Sequence, residues 1–295
     1  MKTIALLVVL SGACLSTQSS GRASFDGQRA IDHIRQLVAI GPRVAGTPGA
    51  ASARAYIRKE LEALKVRVEE QSFQASTPVG PAQMVNVRAF LPGDASRGRL
   101  IIAGHYDTKR FGEFTFVGAN DGGSSAAFLI ELARVLAARS NPHQIELLFL
   151  DGEEAVIEWQ GDDHTYGSRH YVEAARKAGT LRNIRALILV DMIGDRDLRI
   201  KRESQSTPWL TDIIWRAARE LKRREFLEES TPINDDHLPF LEAGVPAVDL
   251  IDLEYPWWHT SEDTLDKVSP ESMTVVGDVL LRALPAVEKR AFEGP

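Results

Sequence analysis

Cysteine is nearly absent from this sequence: Cys14 is the one such residue among 295. No intrachain disulfide can form, so the core must stand on packing alone. Clustered basic charge is missing as well. The 35 Lys and Arg residues are outnumbered by 41 Asp and Glu, for a formal net charge of -6, and they are dispersed along the chain. No basic face is left for phosphate, which argues against nucleic acid as a partner. There are no tandem repeats, low-complexity tracts or linker-like breaks in composition. With 44% hydrophobic and 26% charged residues, the composition fits a single catalytic-sized domain over residues 26–295.

The N-terminus places Lys2 before the apolar run Ile4–Leu10 and follows it with small and polar residues through Gly21. The run is too short to span a bilayer, which takes about 20 residues. Its charged-then-apolar order is that of a signal peptide over residues 1–21, so the mature protein is expected to be exported, periplasmic or secreted. A buried first strand is the alternative reading. Cys14 also sits where bacterial lipoproteins are lipidated, although Ser11 replaces the leucine usual there, so a lipid anchor at Cys14 stays open.

Further on, Ala30, Ile31, Ile34, Leu37 and Val38 recur at helical spacing until Gly41-Pro42-Arg43 interrupts them, and a second helix is expected from Ala50. Val66–Val68 and Met84–Phe90 alternate as half-buried strands do, linked by the turn-rich Thr77–Pro81, and could form a hairpin. Four short apolar runs follow: Leu100–Gly104, Ile145–Leu150, Ala186–Val190 and Pro246–Ile251. Helical patterns at Ser124–Ala138, Tyr171–Lys177 and Trp209–Arg223 separate them. This alternation predicts an α/β three-layer sandwich, its central mixed and mostly parallel β-sheet flanked by helices.

In such sheets, sites form beyond the carboxyl ends of the strands. The residues found there are His105-Tyr106-Asp107, Asp151-Gly152-Glu153-Glu154, Asp191 and, past a loop, His259, while Asn120-Asp121-Gly122-Gly123 opens the helix after the first run. Imidazole and carboxylate without thiolate suit zinc in an open site, and the histidines argue against calcium. Asp107 lies two residues from His105 and can orient its ring. Adjacent Glu153 and Glu154 point different ways, so one can hold a metal while the other stays free as a base. Taken singly, each residue could be a cap or a solvated surface group; their joint placement at strand ends favours a metal site.

The motifs Gly104–Asp107, Asn120–Gly122, Asp151–Glu154, Val190–Gly194 and Trp258–Thr260 resemble the zinc aminopeptidase and glutaminyl cyclase superfamily in order and spacing, over roughly residues 26–285. The resemblance implies a zinc exopeptidase-like fold. It also implies zinc held by Asp121, Glu154 and His259, a second site at His105 and Asp191, and Glu153 as general acid/base. Cyclases of this superfamily typically bind one zinc and aminopeptidases two, so one ion is expected and two are possible. The Phe116–Asp121 segment, the insertion through Trp159 before Tyr166-Gly167-Ser168, and Asp235–Leu241 resemble animal-type glutaminyl cyclases. On that likeness the expected activity is zinc-dependent glutaminyl-peptide cyclotransfer, an acyl transfer turning N-terminal glutamine of peptides or proteins into pyroglutamate with release of ammonia. Asp191 and Asp235 would form a catalytic carboxylate network, with Trp159 and Trp258 walling the substrate pocket. Two departures stand out: Gly122-Gly123-Ser124-Ser125 is nearer the peptidase form, and Asp249 replaces a histidine of animal cyclases. Aminopeptidase hydrolysis with the same residues, or a non-catalytic binding domain on this fold, remain as alternatives.

Overall fold

The computed structural model describes residues 23–293; the expected signal segment and Cys14 lie outside them. Helices α1 (Gly27–Ile40) and α2 (Pro48–Ala63) come first. The Asp26 carboxylate caps α1 by accepting the N–H groups of Gln28 and Arg29, and Ala30, Ile31, Ile34 and Leu37 form its buried stripe. Gly41, at φ +88°, ends it in a left-handed turn.

The hairpin is present and longer than the alternation suggested: β1 (Arg67–Thr77) pairs with β2 (Gly80–Leu91) along its whole length. Then follow β3 (Asp94–His105), α3 (Gly123–Ala137), β4 (His143–Leu150), α4 (Tyr166–Lys177) and β5 (Ile184–Asp191). A separate parallel ribbon of β6 (Ile200–Glu203) and β7 (Phe226–Thr231) brackets α5 (Pro208–Glu220). The chain ends in α6 (Leu238–Glu242), β8 (Ala247–Ile251) and α7 (Pro270–Glu293). The six-stranded sheet runs β1-β2-β4-β3-β5-β8, antiparallel at β1-β2-β4 and parallel through β4-β3-β5-β8.

Strand alternation sorts the core into two layers. Leu100, Ile102, Leu147, Ile188 and Val248 pack on the side of α1, α2, α3, α5 and α7, whereas Ile101, Ala103, Leu148, Leu187 and Ala247 pack on the side of α4 and α6. The architecture is the α/β sandwich expected. Four parallel strands thus end at one edge, and the loops leaving that edge converge. Among the described residues no helix is long and apolar enough to cross a membrane.

Candidate active site

Register brings the first pair together. Ala103 on β3 pairs with Leu189 on β5, so His105 and Asp191, two residues further, end side by side, with Nε2 of His105 3.0 Å from Asp191 Oδ1. Ser125 Oγ and the Met192 N–H donate to the same oxygen at 3.2 and 2.8 Å. Asp121 reaches this point from the turn into α3, its Oδ1 3.3 Å from His105 Nε2. Gly122 makes that approach possible: at φ +70° a Cβ would stand 2.3 Å from the Asp107 carbonyl oxygen, so a larger residue would force α3 away from β3.

Asp107 joins two loops. Its oxygens accept the N–H groups of Glu153 and Glu154 at 3.2 and 3.3 Å, and Oδ1 lies 3.4 Å from His105 Nδ1. Glu153 and Glu154 diverge as adjacent residues should. Glu154 Oε1 lies 3.2 Å from Nε2 of His259, a residue held in the left-handed region at φ +55°, and the same nitrogen is 3.4 Å from Asp121 Oδ2. Glu153 forms no side-chain hydrogen bond, and its one ion-pair contact among the described residues is with His105 Nδ1 at 3.8 Å. Asp151, by contrast, points away and accepts the Val85 N–H at 2.8 Å.

Two sets of ligand atoms therefore cluster within 4.8 Å, His105–Asp121–Asp191 and Asp121–Glu154–His259, with Asp121 common to both. Asp121, Glu153, Glu154, Trp159, Asp191, Asp235, Trp258 and His259 all line one cavity of about 340 Å³, with Met192, Ile233, Ile251 and Leu253 as its apolar wall. Its five carboxylates face one imidazole and no lysine or arginine. Trp257 stands apart, under the Lys267 ammonium at 4.6 Å.

This surplus of negative charge sets the protonation. Burial, then the charges of Glu154, Asp235 and Asp236, drive the Glu153 carboxyl well above the ordinary range against the pull of His105. Asp235 is likewise pushed well up by burial and by Asp191, and no hydrogen bond joins those two carboxylates. Burial disfavours a charged His259, yet Asp121 and Glu154 outweigh it and lift the imidazole to about 9. Asp121 moves the other way: burial raises it, but His105 and His259 hold it below the ordinary range.

Several residues that shape this site escaped the sequence reading. Asp263 accepts the N–H groups of Asn120 and Asp121 and the Tyr255 hydroxyl, fixing the turn that presents Asp121. Asp163 accepts the N–H groups of Val156, Ile157 and Glu158 and the Tyr166 hydroxyl, closing the loop that carries Trp159. Arg43, fully buried, donates to the carbonyls of Tyr106, Val117 and Gly118. Arg43 and Asp263 act on main chain far away in sequence, whereas Asp163 holds N–H groups five to seven residues away in its own loop; the excess of Asp in these loops is the one hint the sequence carries.

The model of peptidase family M28 matches residues 86–284, which hold every one of the clustered ligands. The chain belongs to peptidase family M28. This M28 chain is 31% identical over 278 residues to the glutaminyl-peptide cyclotransferase-like protein of Bos taurus, a match covering 84% of this chain and 72% of that one. Its fold superposes on an Acidobacteriales bacterium glutaminyl cyclase with a TM-score of 0.87 and 40% identity, covering 92% of this chain and 98% of that one. A leucine aminopeptidase precursor from Bacteroides thetaiotaomicron is also similar, with a TM-score of 0.81 and 25% identity over 89% of this chain and 97% of that one.

Proposed function

We propose that this chain is a zinc-dependent glutaminyl-peptide cyclotransferase, converting N-terminal glutamine of peptides or proteins to pyroglutamate with release of ammonia. One observation carries the reading: Glu153, unbonded and raised in pKa, lines a small pocket beside a metal-ligand set and two tryptophans. The M28 fold alone serves both cyclases and peptidases. The likeness to a glutaminyl cyclase at 40% identity and to a cyclotransferase-like protein at 31% favours cyclisation.

The residues fit zinc. A tetrahedral ion with bonds of about 2.0–2.1 Å keeps its ligand atoms about 3.3 Å apart. His259 Nε2 stands 3.2 and 3.4 Å from the oxygens of Glu154 and Asp121. Asp121 Oδ2 and Glu154 Oε2 are buried without a hydrogen-bond partner, as carboxylate oxygens reserved for a cation would be. At the other set, Asp191 Oδ1 already accepts from Ser125 and Met192, which supports one zinc at Asp121, Glu154 and His259 over two.

The chemistry such an ion supplies is Lewis acidity toward the γ-amide carbonyl. Glu153 takes a proton from the α-amine as that nitrogen bonds to the γ-carbon, then gives it to the amide nitrogen as ammonia leaves. Asp191 holds the amine or amide nitrogen, with the buried carboxyl of Asp235 beside it on the cavity wall. Trp159 and Trp258 confine the glutamine side chain in its ring-forming conformer, where intramolecular attack gains from proximity. The N-terminal charged-then-apolar segment supports export of the enzyme.

Hydrolysis by the same residues is the second reading, favoured by the intact His105–Asp121–Asp191 set. Incubating zinc-loaded protein with a Gln-Phe peptide separates them. Loss of ammonia with the peptide bond intact is expected; free glutamine in its place would make the enzyme an aminopeptidase.

A further inference from the structure

The imidazole of His259 is held differently from that of His105. A histidine ring turns about its Cβ–Cγ bond through a broad, two-fold well, so a metal-ligating imidazole needs something to fix it. The usual device is a hydrogen bond from the second ring nitrogen to a carboxylate or carbonyl. His105 Nδ1 at least faces a carboxylate, Asp107 at 3.4 Å, without forming a hydrogen bond to it. Among the described residues no group hydrogen-bonds to His259 Nδ1, its contacts to Glu154 and Asp121 being made through Nε2.

Aromatic rings surround it instead. Trp258 stacks on the imidazole with centroids 4.3 Å apart and planes at 27°. Phe111 and Phe116 meet it nearly perpendicular, at 5.5 Å and 69° and at 5.9 Å and 89°. Phe111 and Phe116 pack edgewise on each other at 5.4 Å, and Phe114 stacks on Phe111 at 4.5 Å. These separations are those of favourable aromatic pairs. Three of the chain's eleven phenylalanines fall between residues 111 and 116, in a loop whose other residues the proposed chemistry leaves unused.

We infer that Phe111 and Phe116, with Trp258, form an aromatic cradle that positions His259 as a metal ligand in place of a hydrogen bond at Nδ1. The inference rests on the metal reading above. Rotation of the imidazole would drive its edge into one of the two perpendicular rings, so Nε2 stays aimed between Asp121 and Glu154. Phe111 and Phe116 are positioning residues, acting on the substrate only through His259.

The test is zinc affinity, measured by competition with a chelating dye, for the wild type and for Phe111→Ala, Phe116→Leu and Phe111→Tyr, alongside the visible spectrum of each cobalt-loaded protein. Loss of a partner that orients a metal-bound histidine costs about 10–100-fold in affinity. That weakening is expected for Phe111→Ala and Phe116→Leu, with an altered cobalt spectrum, while Phe111→Tyr keeps the ring and restores wild-type values. Phe111 is only partly buried, so Phe111→Ala is informative even where replacement of buried Phe116 impairs folding. Equal zinc affinity and an unchanged cobalt spectrum in Phe111→Ala would overturn the cradle. Failure of the wild type itself to bind zinc would instead overturn the underlying metal assignment.

Discussion

The indole of Trp159 lies flat on the imidazole of His164, with centroids 4.3 Å apart and planes 5° from parallel. Trp159 therefore reaches the cavity as part of a folded loop. The loop closes on Asp163, whose carboxyl is raised by burial but held below the ordinary range by the Tyr166 hydroxyl and three backbone N–H groups. Replacing Asp163 with Ala removes four hydrogen bonds to a charged acceptor. We expect KM for a Gln-initiated peptide to rise about tenfold, equivalent to about 1.4 kcal/mol of binding, with kcat less affected. Steady-state kinetics that leave KM unchanged would show that the loop does not set the pocket.

Glu153→Gln tests the proton carrier. The amide preserves shape but cannot cycle a proton, and general acid–base catalysis contributes about 10²–10⁴-fold. A drop of that size in the rate of ammonia release is expected, with zinc content unchanged because Glu153 belongs to neither ligand cluster. Full activity in the variant would remove Glu153 from the mechanism.

Metal binding should release protons. In the metal-free protein His259 is raised to about 9, so at neutral pH it carries a proton that zinc must displace. Zinc affinity is therefore expected to climb with pH, up to about tenfold per unit for one proton, and to level off above about pH 9. Calorimetry in buffers of different ionisation enthalpy counts the protons. The same shift affects the metal-free fold: a histidine raised above its unfolded value of about 6.5 adds stability that is complete below that pH and lost as pH rises through about 9.

Asp249 shows the cost of a buried acid. Both of its oxygens lack a hydrogen-bond partner, and the nearest ring nitrogen, His237 Nδ1, is 3.6 Å away. Burial, then Asp235 and Asp191, push its pKa well up. Its contribution to stability is complete below the unfolded value of about 3.9 and declines as pH rises toward the folded value. Asp249→Asn takes away the charge, so a gain in Tm of about 2–4 °C, the effect of about 1 kcal/mol in a domain of 150–250 residues, is expected at pH 8 and little change at pH 4. Thermal melts showing a loss at pH 8 would mean that the ionised carboxylate is stabilised by a partner.

Much of this was legible in the sequence because the four parallel strands are continuous apolar runs and their ends carry the chemistry. His105, Asp121, Glu153, Glu154, Asp191 and His259 could be picked out by position alone. The ribbon β6–β7 could not, since Ile200-Lys201-Arg202-Glu203 is short and largely charged. Helix α7 was also missed: Met273, Val276, Leu280, Leu284 and Val287 recur at helical spacing, but Pro285 stands within it and reads as a terminator. The helical pattern at Tyr171–Lys177 begins five residues inside α4, because Tyr166-Gly167-Ser168 reads as a turn although it forms the first turn of the helix. Asp263 and Arg43 find main-chain partners that only the fold brings near, and Asp163, whose partners are local, stands in an irregular loop where no periodic pattern singles it out.

Arg43 has a consequence for how the enzyme comes into being. Burial lowers its pKa to about 10 against the pull of Asp263, Asp121 and Asp107, so it remains cationic at neutral pH. Its guanidinium clasps the peptide carbonyls on either side of the loop leading to Asp121. A residue just after the first helix thereby meets a turn that is itself pinned by Asp263, near the far end of the chain. One clasp needs the early part of the chain and the other the late part, so the turn that presents Asp121 is held from both sides only when both have docked, and a polypeptide clipped of either part is expected to lose its hold on a metal ion.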